Sequence, residues 1–247
     1  MKISLFDLKR IINEELLKEV AFTPSDAINK GLALYSYADE GGLFETFVLY
    51  KAYGKEVKEE ESKLRPGVRM NVTIRDSIYN TVTTTDFYDI NAIVRSSIVG
   101  AIRVAKKSDK HMAYIDGVKS TERGYGPLLY DIALRYHGPI MQSPIDVSAD
   151  AKRIWKGYQT KRKKDVDYTK GSPPQIALKA RTSVNVTKLK ETHEELPERI
   201  KQTLMSQPVT DETGALKRPT FNVKSFKDSL EKTLLEIGSE IINRLHM

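Results

Sequence analysis

The sequence predicts an α+β fold, a mostly antiparallel central sheet with flanking helices and an amphipathic helix at each end. Three observations predict it. Runs rich in β-branched and aromatic residues recur between Gly31 and Val118, bounded by Gly, Pro or charged turns. Apolar residues return at helical spacing over 3–20, 127–137 and 223–245. From Met112 to Trp155 a strand, a glycine turn, a helix, a short extended piece and a second helix follow one another.

At 247 residues the chain suits one domain of ordinary size with an appendage, or two small ones. Hydrophobic residues at 40% and charged residues at 30% are globular proportions. Cysteine is absent, which excludes disulfides, thiolate metal sites and cysteine nucleophiles. The net charge of +7 sets 40 basic against 33 acidic residues. So small an excess reads as solvated surface, and nucleic acid is not the expected partner. No apolar run is long enough to span a bilayer, and Asp7, Lys9, Arg10, Glu14 and Glu15 interrupt any signal-peptide core. The expected location is cytoplasmic, or a particle assembled in cytoplasm.

Residues 3–20 form the first predicted helix, with Ile3, Leu5, Leu8, Ile11, Ile12, Leu16 and Val20 on one face. Predicted strands follow at Leu32–Tyr37, Phe44–Tyr53 and Val68–Ile74, the first two joined by a hairpin turn at Asp39–Gly42. Glu59-Glu60-Glu61 lies in a charged loop and reads as solvated. Ile93–Val104 is the strongest strand, with Gly100 marking a bulge or a close backbone approach. Met112–Val118 returns beside it. Beyond Asp165, Gly171–Pro174 reads as a connector and Thr182–Val186 as a short strand. Glu194–Met205 reads as a helix with Pro197 in its first turn, Gln207–Thr220 as loop, and Val223–Leu245 as the last amphipathic helix. The domain division is thus a leader at 1–22, an α+β domain at 23–165, and a linker with helical extension at 166–247.

The turn Arg123-Gly124-Tyr125-Gly126-Pro127 carries the candidate chemistry. Glycines permit close backbone approach, and proline suits the first helical turn because its missing N–H costs little there. The helix start offers free N–H groups and positive dipole character, a surface suited to a pyrophosphate, and Arg123 adds a cation. A ligand-free tight turn explains the same residues. The dinucleotide fingerprint is not met, because Leu129 stands where its third glycine belongs. His111, His137, His193 and His246 show no metal-ligand spacing, so no metal is expected. Lys161–Lys164 is the one basic cluster and reads as solvated linker.

Segment 98–158 resembles the GNAT superfamily of acyl-CoA-dependent N-acetyltransferases. There an antiparallel strand pair leads into a splayed strand, a loop of form Arg/Gln-x-x-Gly-x-Gly/Ala, and a helix. Here Ile98–Ile102 and Ala113–Lys119 look like the strands, and Gly124-Tyr125-Gly126 with Leu129 and Tyr130 like the loop and helix start. Ser148 to Tyr158 looks like the family's later helix. The resemblance implies an acyltransferase with an acyl-CoA N-acyltransferase-like fold and acetyl-CoA (coenzyme A) as cofactor. It implies contacts from Val118, Arg123, Gly124, Tyr125, Gly126, Leu128 and Ser148, and an unidentified amine as acceptor. Two positions depart from the pattern. Thr121 stands at the Arg/Gln position, with Arg123 matching only by a register shift. Trp155 replaces the tyrosine that protonates the departing thiolate in many members, and an indole cannot do so. Tyr158 and Tyr130 are the candidate replacements. Asp116 and Glu122 lie nearby but read first as surface or turn residues.

The opening Met1-Lys2-Ile3, Leu8, Ile11-Ile12 and Glu14-Glu15-Leu16 is similar to N-terminal leaders of tailed-phage proteins, some of which direct proteins into heads. Ile12-Asn13-Glu14 matches the hydrophobic-x-Glu pattern cut by head-maturation proteases. This resemblance implies phage structural proteins as partners, through either terminal helix, and a non-enzymatic virion or assembly protein as the alternative function.

Overall fold

Leu32–Ala38 (β1) and Phe44–Lys51 (β2) pair antiparallel across the Asp39–Gly42 turn, as the sequence predicts. The turn closes through the Gly42 N–H on the Asp39 carbonyl at 2.9 Å, and the Asp39 carboxylate accepts from the Phe44 N–H at 2.8 Å. The structure is a computed structural model. It describes residues 31–52, 71–75, 82–86, 97–108, 112–121, 124–142, 147–170, 175–180, 186–206, 209–210, 216–217 and 222–244. The N-terminal helix over 3–20 and most of the Thr182–Val186 strand lie outside the described residues.

Asn71–Arg75 (β3) and Val82–Asp86 (β4) form a separate antiparallel pair. Ile98–Ala105 (β5) and Ala113–Ser120 (β6) continue the main sheet. Gly126–His137 (α1) leads to Ile140–Met141 (β7), and Ala149–Lys161 (α2) is followed by a 3-10 turn at Lys163–Asp165. Val166–Tyr168 (β8) and Ile176–Leu178 (β9) then pair with each other. Thr187–Ser206 (α3), the two-residue strands Val209–Thr210 (β10) and Leu216–Lys217 (β11), and Val223–Asn243 (α4) complete the order. The main sheet runs β1-β2-β5-β6-β7-β9-β8, antiparallel throughout except between β6 and β7.

This is an α+β architecture with helices on both faces of the sheet. On one face Phe47, Leu49, Ile102 and Val104 pack against Leu128, Leu129 and Ile132 of α1 and Trp155 of α2. On the other, Ala33, Val48, Ile98 and Ala101 pack against Leu196 of α3 and Leu230, Leu234, Ile237 and Ile241 of α4. Each such aliphatic side chain contributes about 1.5–3 kcal/mol of burial before chain entropy is subtracted. Cover on both faces explains why β5 reads as an apolar run interrupted only by Arg103 rather than as alternation. Two glycines set the helix distances. A Cβ at Gly100 would stand 2.9 Å from Leu129 Cδ1 and 2.7 Å from the Lys119 carbonyl, so α1 approaches β5 only over glycine. A Cβ at Gly238 would stand 2.7 Å from Val48 Cγ2, so α4 rests on β2 the same way.

The structure differs from the sequence expectation after Asp165. Residues 166–178, expected to be linker, supply two strands to the main sheet. Helix α3 begins at Thr187, well before Glu194, and Pro197 lies inside it. Interior proline costs a helix several kcal/mol, and tertiary burial of Leu189 and Leu196 offsets that cost. Within Gln207–Thr220, expected to be loop, Val209 pairs with Lys217 and Thr210 with Leu216. Two residue pairs are too few for period-2 alternation to show.

Candidate functional site

Strand β6 ends against β5 rather than in solvent. The Thr121 N–H donates to the Val99 carbonyl at 2.8 Å, and the Thr121 hydroxyl lies 2.7 Å from the Ile98 carbonyl and 3.0 Å from that of Val99. Thr121 is thereby a clamp on the neighbouring strand, which accounts for a short polar side chain at that position. Glu122 and Arg123 lie outside the described residues. Gly124 follows at φ +93°, a conformation that side chains resist, and reverses the chain into α1.

Tyr125 caps α1 with its ring buried, and the Leu129 N–H donates to its carbonyl at 3.0 Å. The amides of Gly126 and Leu128 therefore precede the intrahelical ladder, and Pro127 between them has none. No acidic residue stands in this first turn to offset its positive end. The Leu128 side chain is fully buried in the core, so only its backbone can face a ligand. A Cβ at Gly126 would stand 3.1 Å from Ile154 Cδ1, which places α2 close over the turn. Ser148 is exposed and caps α2, its side chain accepting from the Ala151 N–H at 3.2 Å.

Beside β6 stands the two-residue strand β7. Strands β6 and β7 are paired in parallel only at Ala113↔Ile140 and Tyr114↔Met141, while β6 runs on to Ser120. The stretch beyond the paired residues includes Val118, opposite Ile102, and leads directly into the glycine turn. It also carries a bulge. Arg103 faces Gly117 and Val104 faces Ile115, so Asp116 is the extra residue. Arg103 Nε donates to the Asp116 carboxylate at 2.6 Å, so this carboxylate is held in an ion pair.

Both candidate tyrosines point into the fold. Tyr130 is 1% exposed, stands edge-on to Trp155 with centroids 6.3 Å apart, and burial pushes its hydroxyl up to about 12. Tyr158 donates to Asp131 Oδ1 at 2.6 Å, and burial, then the Asp131 charge, raises it well above its usual value. Neither hydroxyl is a ready proton donor near neutral pH. Asp131 is the centre of this cluster. Arg162 donates to it through both terminal nitrogens at 3.1 Å, stacks on the Tyr158 ring at 4.2 Å, and reaches Asp165 through Nε at 2.8 Å. Burial pushes the Asp131 carboxyl above its usual range, against the pull of Tyr158 and Arg162. Arg162, expected to be solvated linker, thus ties α2 to α1. The sequence signal for it was Asp131 itself, a charge amid the apolar stripe of α1.

Comparison with family models, curated proteins and solved structures finds no match for this chain.

Proposed function

We propose that the chain binds acetyl-CoA and transfers its acetyl group to an amine, as the GNAT resemblance implies. The observation that carries this reading is the run of β6 beyond its two residue pairs with β7, towards the glycine turn and the positive end of α1. A pantetheine arm along β6 at 115–118 would set its pyrophosphate on the amides of Gly126 and Leu128 at the positive end of α1. The amine nitrogen attacks the thioester carbonyl, forming the C–N bond, and a β6 backbone N–H near Val118 stabilises the oxyanion. The C–S bond then breaks, the thiolate leaves with the electron pair, and water removes the ammonium proton.

The buried hydroxyls of Tyr130 and Tyr158 favour a second reading, in which a degenerate acetyltransferase-like fold has lost the chemistry and serves assembly, with phage structural proteins as partners. Calorimetric titration with coenzyme A tests the first reading. Micromolar binding is expected, lost in Gly126→Asp, where a carboxylate meets the phosphates, and kept in Gly126→Ala, which crowds Ile154 equally. Absence of binding by the native chain rejects the enzyme and leaves the assembly reading. Thiol release from acetyl-CoA with a panel of amines then supports the enzyme, whereas presence of the chain in purified particles by mass spectrometry, without turnover, supports the assembly reading.

A further inference from the structure

Helices α3 and α4 meet on the second face of the sheet and enclose a polar cluster in an apolar wall. His193 is 3% exposed. Its Nδ1 lies 2.7 Å from the Tyr50 hydroxyl, and the rings of Tyr35 and Tyr50 flank it with centroids 5.1 and 6.0 Å away. Its other nitrogen, Nε2, has no hydrogen-bond partner among the described residues. The nearest carboxylate oxygen, Glu231 Oε1, is 3.6 Å away, beyond hydrogen-bond reach. Ligating atoms of His193, Glu194 and Glu231 all lie within 4.8 Å of one another. Leaving a buried polar atom unanswered costs about 1–3 kcal/mol, so an idle imidazole nitrogen facing two carboxylates marks a place built for a further group.

We propose that His193 Nε2 and one carboxylate oxygen each from Glu194 and Glu231 form a site for a divalent transition ion of the zinc class. A mixed imidazole and carboxylate set suits zinc better than calcium or magnesium, which prefer oxygen alone. Coordination through Nε2 places the ring proton on Nδ1, where the Tyr50 oxygen accepts it, the usual support for a ligating histidine. Around zinc such ligand atoms stand about 3.4 Å apart. The glutamates therefore close by about an ångström, which side chains 60% and 33% exposed can do. The cation at this cluster in the structure is the Lys227 ammonium, which ion-pairs with both glutamates, at 3.7 Å for Glu231. One ammonium offsets one of the two carboxylate charges, whereas a divalent ion offsets both. Lys227 is 36% exposed and can swing out to water. With three protein ligands the ion keeps a position open for water, the arrangement of catalytic rather than structural zinc. This inference is independent of coenzyme A binding.

The test is calorimetric titration of the EDTA-stripped full chain with zinc chloride, followed by visible absorption with cobalt in its place. One ion per chain is expected, weakened about tenfold or more in Glu231→Gln and in Glu194→Gln, and tightened in Lys227→Met. Thermal melts of the variants without metal establish that each folds, and two independent glutamine variants guard against failure of either. Zinc uptake that is equal in both glutamine variants and the native chain overturns the proposal. So does absence of uptake by the native chain and Lys227→Met at millimolar zinc.

Discussion

Asp131 on the α1 face and His193 on the α3 face are both buried, and each is bonded to a tyrosine hydroxyl from a neighbouring element. The Asp131 cluster is closed, because Tyr158 and Arg162 answer the carboxylate and Asp165 answers the arginine. The His193 cluster is open, with one ring nitrogen bonded and the other facing carboxylates it does not reach. A closed network fixes two helices and leaves nothing to bind. An open one keeps a ligand position at a cost in stability. The two faces thus separate a structural polar cluster from one fitted for a ligand.

The largest break in this contrast comes from opening the closed side. Arg162→Ala strips Asp131 of its cation and is expected to cost about 3 kcal/mol, read as a lowered urea midpoint with the slope unchanged. A fall of only a few tenths would show that Tyr158 and water suffice. Next come the glycines beneath each helix. Gly100→Ala drives a methyl at the Lys119 backbone carbonyl, which cannot yield, and should cost about 2 kcal/mol. Gly238→Ala meets the side chains of Val48 and Tyr37, which can shift, and should cost less in the same titration. The last comparison sets the two tyrosines against each other and ends on the smallest effect. Tyr50→Phe leaves both His193 nitrogens unbonded and should cost about 2 kcal/mol, whereas Tyr158→Phe leaves Asp131 its arginine and should cost about 1 kcal/mol. Thermal melts of the pair decide this, and the reverse order would mean that the Asp131 cluster is the less complete one.

Local patterns carried much of this architecture. Helical spacing found α1 and α4, and the turn chemistry of Asp39–Gly42 found the first hairpin, with β1 one residue longer and β2 two residues shorter than expected. Ser148 announced α2 because an N-cap is a local signal. Strand β9 was not legible, since three residues inserted between β7 and β8 owe their state to neighbours distant in sequence. Pro197 misled for a related reason, as its intrinsic preference was overridden by burial of the residues around it. At the candidate site the glycine turn was readable, but the bulge at Asp116 was not, because it exists only as a mismatch between two strands. The proximity of His193 to Glu231 was not legible, because the two lie on different helices, where sequence spacing carries no signal.

The seating of α4 across β2 has a consequence for synthesis. The first four strands of the main sheet are complete by Ser120, yet Ala33, Val48, Ile98 and Ala101 lack their α4 cover until Leu230–Ile241 has been made. For half the length of the chain a growing polypeptide carries a bare, sticky wall. Products that stop short of that segment are expected to clump or be held by chaperones, so the last helix acts as the quality seal on the first strands.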